Sequence, residues 1–177
     1  GKVVSRAYGL LATGADSVYT NKGTINLNLA ADENATQAYR VKGMMADNNG
    51  TAVNEGTITV RNAYGMTVGS TGKNTITNTG TIDVKSGVAM EVAPTGIQGS
   101  GQEGSNAVAT NEGTIKVAAG SIGVLMSGTG NTFTNKGTLD ATGAKAVHLQ
   151  QEKGKRAENN KLVFESGSQT NGDIYVG

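Results

Sequence analysis

One short unit, Asn-x-Gly-Thr-Ile-x-Val, limits what this chain can fold into, because it is written repeatedly along it. It reads NKGTINL at Asn21–Leu27, NEGTITV at Asn54–Val60, NTGTIDV at Asn78–Val84, NEGTIKV at Asn111–Val117 and NKGTLDA at Asn135–Ala141. A sixth, degraded copy is read as TNGDIYV at Thr170–Val176. Anchored on Gly23, Gly56, Gly80, Gly113, Gly137 and Gly172, the spacings are 33, 24, 33, 24 and 35 residues. Periods of this size belong to stacked repeats, in which no single unit buries a core and each neighbour completes the last.

The shortest unit holds three extended segments separated by Gly, Asn and Ser, which favour turns. In the first segment the apolar side alternates with a polar one. Ile25/Leu27, Ile58/Val60, Ile82/Val84, Ile115/Val117, Leu139/Ala141 and Ile174/Val176 form one face, and Thr24, Thr57, Thr81, Thr114 and Thr138 begin the other. Period two with one apolar face is a half-buried strand. A second segment is read at Tyr8-Gly9-Leu10, Tyr39-Arg40-Val41, Tyr64-Gly65-Met66, Val88-Ala89-Met90, Ile122-Gly123-Val124 and Val147-His148-Leu149, with a small residue in most middle slots. A third precedes each asparagine, carrying Tyr19, Ala52 or Val53, Ile76, Ala109 and Phe133.

Three short strands per turn and no amphipathic helix predict an all-β, single-stranded, right-handed parallel β-helix with turns of about 24 residues and longer loops on alternate rungs. A β-propeller needs about 40 residues and four strands per blade, more than the short unit offers. A trimeric fibrous repeat would leave each chain without a core of its own. The expected domain is the whole of residues 1–177. The sequence opens at Gly1, already inside the repeat pattern, which suggests a segment of a longer solenoid.

Asn21, Asn54, Asn78, Asn111 and Asn135 stand two residues before the motif glycines. Asparagine tolerates turn geometry and bonds to nearby backbone, and stacked amides can also bond rung to rung. These five are therefore expected to be a structural ladder. The threonine column follows from β-propensity. Solenoids that bind ice also stack threonines, but they need a flat doubled array, and the column beside this one is mixed.

Fifteen basic and fourteen acidic residues leave a formal charge of +1, which offers no field for nucleic acid or an anionic membrane. Cysteine is absent, so disulfides and thiolate metal sites are excluded. No stretch approaches the roughly 18 apolar residues of a membrane span, so the segment itself is not expected to insert. Read as stacked columns, the outward positions of the first segment are Asn26, Thr59, Asp83, Lys116, Asp140 and Tyr175, with Asn28, Arg61, Lys85, Ala118 and Thr142 beside them. Asp83 and Asp140 are then two rungs apart with a lysine between, about 10 Å, long for a pair of glycosidic carboxylates. His148 is the sole histidine, with Gly123 one rung back, and no acid stands beside it in that column. No catalytic residue, metal site or cofactor is expected.

The rungs differ in their insertions. One carries extra residues near Ala30–Gln37, another after Met90, and a third after Leu149. The last two leave the same corner two rungs apart. Insertions in a solenoid map to loops, where binding resides. The candidate contact surface is therefore Pro94 and Gln98 in one loop, and Lys153, Lys155 and Arg156 in the other, with His148 at its root.

Units such as VNEGTITVRNAYGMTV (Val53–Val68) and TNTGTIDVKSGVAMEV (Thr77–Val92) resemble repeats in passenger domains of large Gram-negative autotransporters, particularly fusobacterial-type adhesins. The resemblance covers nearly the whole chain. It implies a right-handed β-helix exported by type V secretion and displayed as a stalk, anchored by an outer-membrane barrel that this segment lacks. The implied role is adhesion to a protein or glycan on host or bacterial surfaces. A pure spacer is the alternative, and a polysaccharide-cleaving enzyme a more remote one. Exposed end rungs would also allow end-to-end self-association.

Overall fold

The computed structural model describes residues 7–29, 41–69, 71–92, 106–150 and 158–177, without the side chains of Ala7 and Tyr8. The chain winds as a parallel β-helix. β1 (Ala7–Thr13) and β2 (Val18–Asn21) supply a second and a third segment, and β3 (Thr24–Asn28), β4 (Val41–Asp47) and β5 (Thr51–Asn54) make the first full turn. In the next two turns the first and second segments join into one bent strand. These are β6 (Thr57–Val68) with β7 (Thr75–Asn78), and β8 (Thr81–Val92) with β9 (Val108–Asn111). The fourth turn divides again into β10 (Thr114–Val117), β11 (Ile122–Met126) and β12 (Thr132–Asn135). β13 (Thr138–Leu149) and β14 (Lys161–Phe164) form the fifth, and β15 (Gln169–Val176) opens the sixth.

Third segments stack into a six-stranded sheet in the order β14-β12-β9-β7-β5-β2, and the others form a nine-stranded sheet bent along its length. The bend has a local cause. Between β6 and β8 the register slips at Arg61, which pairs with Ser86 and leaves Lys85 as the extra residue. Asn62 and Gly87 take positive φ there, and Ser86 Oγ accepts the Asn62 N–H at 2.8 Å while donating to Asn62 Oδ1 at 2.8 Å. The sequence columns set Lys85 opposite Arg61; the bulge moves it out of that column.

Inside, like stacks on like. Ile58 pairs with Ile82, Ile82 with Ile115 and Ile115 with Leu139, all fully buried. Met44, Met66 and Met90 continue into Val124 and Val147, and Ala52, Ile76, Ala109 and Phe133 line the third face. These residues belong to one continuous core. The small middle slot of the second segment also faces inward: Ala89 and Ala146 are buried in that core, and a Cβ on Gly65 would touch Ile82 and Val60.

The corner between third and first segments is the most regular feature. Glu55 and Gly56 N–H both donate to the Asn21 carbonyl at 2.9 Å, and the same pair of bonds recurs onto Asn54, Asn78 and Asn111. The asparagine side chains run alongside. Nδ2 of Asn21, Asn54, Asn78 and Asn111 each donates to Oδ1 of the next asparagine, at 2.9, 2.8, 2.9 and 3.0 Å. Buried amides thus satisfy one another where the turning backbone leaves polar groups away from water. Gly56, Gly80, Gly113 and Gly137 each lie against the carbonyl of the motif glycine before, and a Cβ there would collide with it.

Three assignments are corrected by the pairing, two of second segments and one of the sixth copy. β4 sets Lys42 opposite Tyr64 and Met44 opposite Met66, so Lys42-Gly43-Met44, not Tyr39-Arg40-Val41, is the second segment of that rung. In β13 the corresponding triplet is Lys145-Ala146-Val147, because Val147 pairs with Val124. The sixth copy is not a first segment along its length. Ile174, Tyr175 and Val176 pair with Val147, His148 and Leu149, which makes them a second segment. Gly172 has φ 112° and sits at the bend against Ala141, not at the asparagine corner. There Phe164 takes the asparagine place, and Asn135 Nδ2 ends the ladder on Gln169 O and Thr170 Oγ1, both at 2.9 Å.

A second set of asparagines, buried at Asn74 and Asn131 and half-buried at Asn160, holds the opposite corner. Asn74 Nδ2 donates to Gly69 O at 3.0 Å, Asn131 Nδ2 to Ser127 O at 2.7 Å and Asn160 Nδ2 to Gly128 O at 2.9 Å. Their carbonyl oxygens accept N–H groups of the preceding rung from Asn49, Ala107 and Asn131.

The first ladder makes a direct prediction. Asn78→Ala leaves the Asn111 side-chain carbonyl without its donor and takes one of three acceptors from the Asn54 amide, so stability should fall by about 1–3 kcal/mol. Asn78→Asp should fall further, because a carboxylate cannot donate to Asn111 Oδ1 or Thr114 O and would be a buried charge. Urea unfolding followed by far-UV circular dichroism measures both.

Candidate functional site

The candidate residues Pro94, Gln98, Lys153, Lys155 and Arg156 lie outside the described residues. Their roots are well defined. Val92 at the end of β8 pairs with Met126 of β11, and Met126 with Leu149 at the end of β13. The two insertions therefore depart from one corner column two rungs apart, about 10 Å along the axis.

His148 is the one candidate side chain described, and its surroundings differ from the sequence reading. The register puts Leu125, not Gly123, one rung back, and Glu91 behind Leu125. The slot is outward-facing and holds large side chains in most rungs: Met45, Thr67, Glu91, Leu125, His148 and Tyr175. An acid thus stands in the column, two rungs away. The closer neighbours are Tyr175, whose ring meets the imidazole edge-on at 5.0 Å, and Lys145, whose ammonium stands 4.2 Å over the Tyr175 ring. Burial lowers the His148 pKa below its ordinary 6.5, the Lys145 charge acts in the same direction, and a hydrogen bond with the Gly177 backbone opposes both. Nδ1 is buried without a partner. The corner thus sets an imidazole biased toward its neutral form beside an amphipathic ring and a cation.

The first-segment column reads Asn26, Thr59, Asp83, Lys116 and Asp140, as expected from the motif. It then continues to Asn171, not Tyr175. Both carboxylates are engaged locally. Asp83 pairs with Lys85 at 2.9 Å, and Asp140 accepts from the Thr142 hydroxyl at 2.7 Å. The Thr142 bonds, side chain first and then backbone, hold the Asp140 carboxyl below its usual 3.8, with Lys116 adding to the effect. No group of three His, Asp or Glu positioned for a metal occurs among the described residues.

Sequence reasoning missed a charged pair on the outward side of the second segments. Lys42 Nζ and Glu91 Oε1 are 3.0 Å apart with side-chain exposures of 7% and 1%. Tyr64, Val88 and Leu125 form a second buried cluster on that side. The signal was present in the letters, but placing the segment at Tyr39-Arg40-Val41 put Lys42 out of its column.

The His148 environment predicts a pH dependence. The folded state holds this proton less tightly than the unfolded chain, so the contribution is intact above 6.5 and is lost as pH falls from there toward the folded value. His148→Gln should therefore flatten the decline in melting temperature between neutral pH and the carboxylate range, as read by thermal scans at stepped pH.

Against this geometry the comparisons are specific. The family model of the BigA third pectate lyase-like domain matches twice, over residues 5–93 and 85–163, which together take in most of the chain. No curated protein and no solved structure matches it significantly. The chain belongs to the family of the BigA third pectate lyase-like domain.

Proposed function

We propose that this chain is a rod-forming adhesion module of a bacterial surface protein, with recognition carried by the insertions rather than by the body of the helix. Membership in the family of a BigA pectate lyase-like domain carries the reading. It agrees with the resemblance of the repeats to autotransporter passenger domains, and outer-membrane anchoring through a barrel elsewhere in the parent belongs to the same proposal. A stack of like rungs gains stability from each neighbour and extends at will, which suits a part that holds binding groups away from a membrane. Contact at each copy is polar and weak, and display of many copies on one cell raises the avidity.

The contact surface proposed is the corner from which the insertions after Met90 and Leu149 depart, with His148, Lys145 and Tyr175 beside the second root. A host or bacterial surface glycan or protein is its partner. A non-catalytic role is part of this reading. It is supported by the separation of Asp83 from Asp140 by the Lys116 rung and by the local partners that both carboxylates already have.

The test is a pair of binding measurements. Replacing residues 151–157 by a short Gly/Asn turn should leave the far-UV spectrum and melting temperature of the solenoid unchanged and should reduce adhesion of cells displaying it severalfold. Undiminished adhesion would remove this corner from consideration, and a parent chain silent on glycan and cell arrays would favour the spacer. Release of unsaturated products from uronate polymers, with calcium present, would overturn the non-catalytic reading.

A further inference from the structure

Lys42 and Glu91 lie in different turns, and the turn between them is the reason they are held so closely. Lys42 pairs in register with Tyr64, whose strand then pairs through Thr67 with Glu91. The ion pair therefore reaches across the middle rung, over Tyr64, with the ammonium 5.7 Å from the ring centroid. Water is nearly excluded: the carboxylate side chain is 1% exposed and the amine side chain 7%. The hydroxyl of Thr67, the residue paired with Glu91, is buried without a hydrogen-bond partner.

We propose that Lys42 and Glu91 condense into an intramolecular amide that ties the first full turn covalently to the third. An ion pair out of water bears the desolvation cost of both charges, whereas the amide carries none. Transfer of one proton within the pair gives a neutral amine and a neutral acid. Lys42 Nζ then adds to Glu91 Cδ, forming the C–N bond, and the C–OH bond breaks. The hydroxyl leaves with a proton from the amine as one water. Nothing is oxidised or reduced, and no co-reactant is consumed.

The approach of 3.0 Å between Nζ and Oε1 sets the nitrogen near the carboxyl carbon. Well-aligned intramolecular pairs reach effective concentrations of about 10⁵–10⁸ M, enough to favour a condensation that is unfavourable in dilute water. The unsatisfied Thr67 hydroxyl is the available donor for the oxyanion that develops at Cδ. The resulting bridge joins residues 49 apart in sequence, so a rod under tension could not unwind there without breaking a covalent bond.

Intact-mass spectrometry of the folded, purified chain tests this, and it does not depend on the adhesion reading. The expected mass is that of the sequence less one water, and digestion should yield one branched peptide joining the Lys42 and Glu91 segments. Lys42→Met and Glu91→Ala should each restore the full sequence mass. A folded wild-type protein at the full mass overturns the proposal, whatever the variants do. A water loss that persists in Lys42→Met also overturns it, because the dehydration would then lie elsewhere.

Discussion

The structure depends on how close one turn of backbone comes to the next at the asparagine corner. Two consecutive N–H groups converge on the asparagine carbonyl below, and the glycine that carries the second lies on the glycine carbonyl of the previous rung. A residue with a Cβ has no room there, and a side chain unable both to donate and to accept cannot continue the amide column. Asn-x-Gly is thus fixed by contact between rungs, not by the conformation of one rung alone. The flanking strands then have little freedom. Once the corner is stacked, Ile must lie on Ile and Thr beside Thr, because the register is already set.

This explains which parts of the fold were legible in the letters. The corner and the first segment have one spacing, Asn-x-Gly-Thr-Ile-x-Val, and every complete copy was placed correctly. The second segment could not be read with the same accuracy, because its distance from the corner changes. A turn at Ala118–Ser121 and the residues before Val41 alter the count, whereas the bulge at Arg61 and Asn62 does not, because Val60–Val84 and Ala63–Gly87 keep one offset. The added residues before Val41 set Tyr39 three residues out of place; Val147 was aligned two residues out although its unit has the same count as those of Tyr64 and Val88. The sixth copy failed for a related reason. Its Gly-x-Ile-x-Val letters imitate the motif, but Phe164 had already taken the asparagine position, and the corner after it is wider.

The candidate site was less legible than the fold because it depends on columns, and a column error moves every neighbour. His148 was read in a slot for small residues and lies instead in one that holds Glu91, Leu125 and Tyr175. Lys42 was read between segments and lies inside one, opposite Tyr64. The second asparagine set was overlooked because Asn74, Asn131 and Asn160 are interrupted at Ala107, which leaves no unbroken pattern to notice. That column still functions, since Asn131 Oδ1 accepts the Ala107 N–H and needs no side chain above it.

The placement of the insertions follows from the same constraint. Where the corner glycines dictate contact, Gly56 to Gly80 and Gly113 to Gly137 are both 24 residues apart, and no insertion falls between asparagine and first segment in any complete copy. The extra residues enter elsewhere: between β3 and β4 in one turn, and between the second and third segments in two others. Between second and third segments, the rungs without an insertion are closed by side chains reaching to backbone, as Asn74 does to Gly69 and Asn131 to Ser127. A corner made of backbone on backbone admits no extra chain. Variation in length is therefore directed to the other junctions, after Leu29, Val92 and Leu149, by the corner that cannot vary.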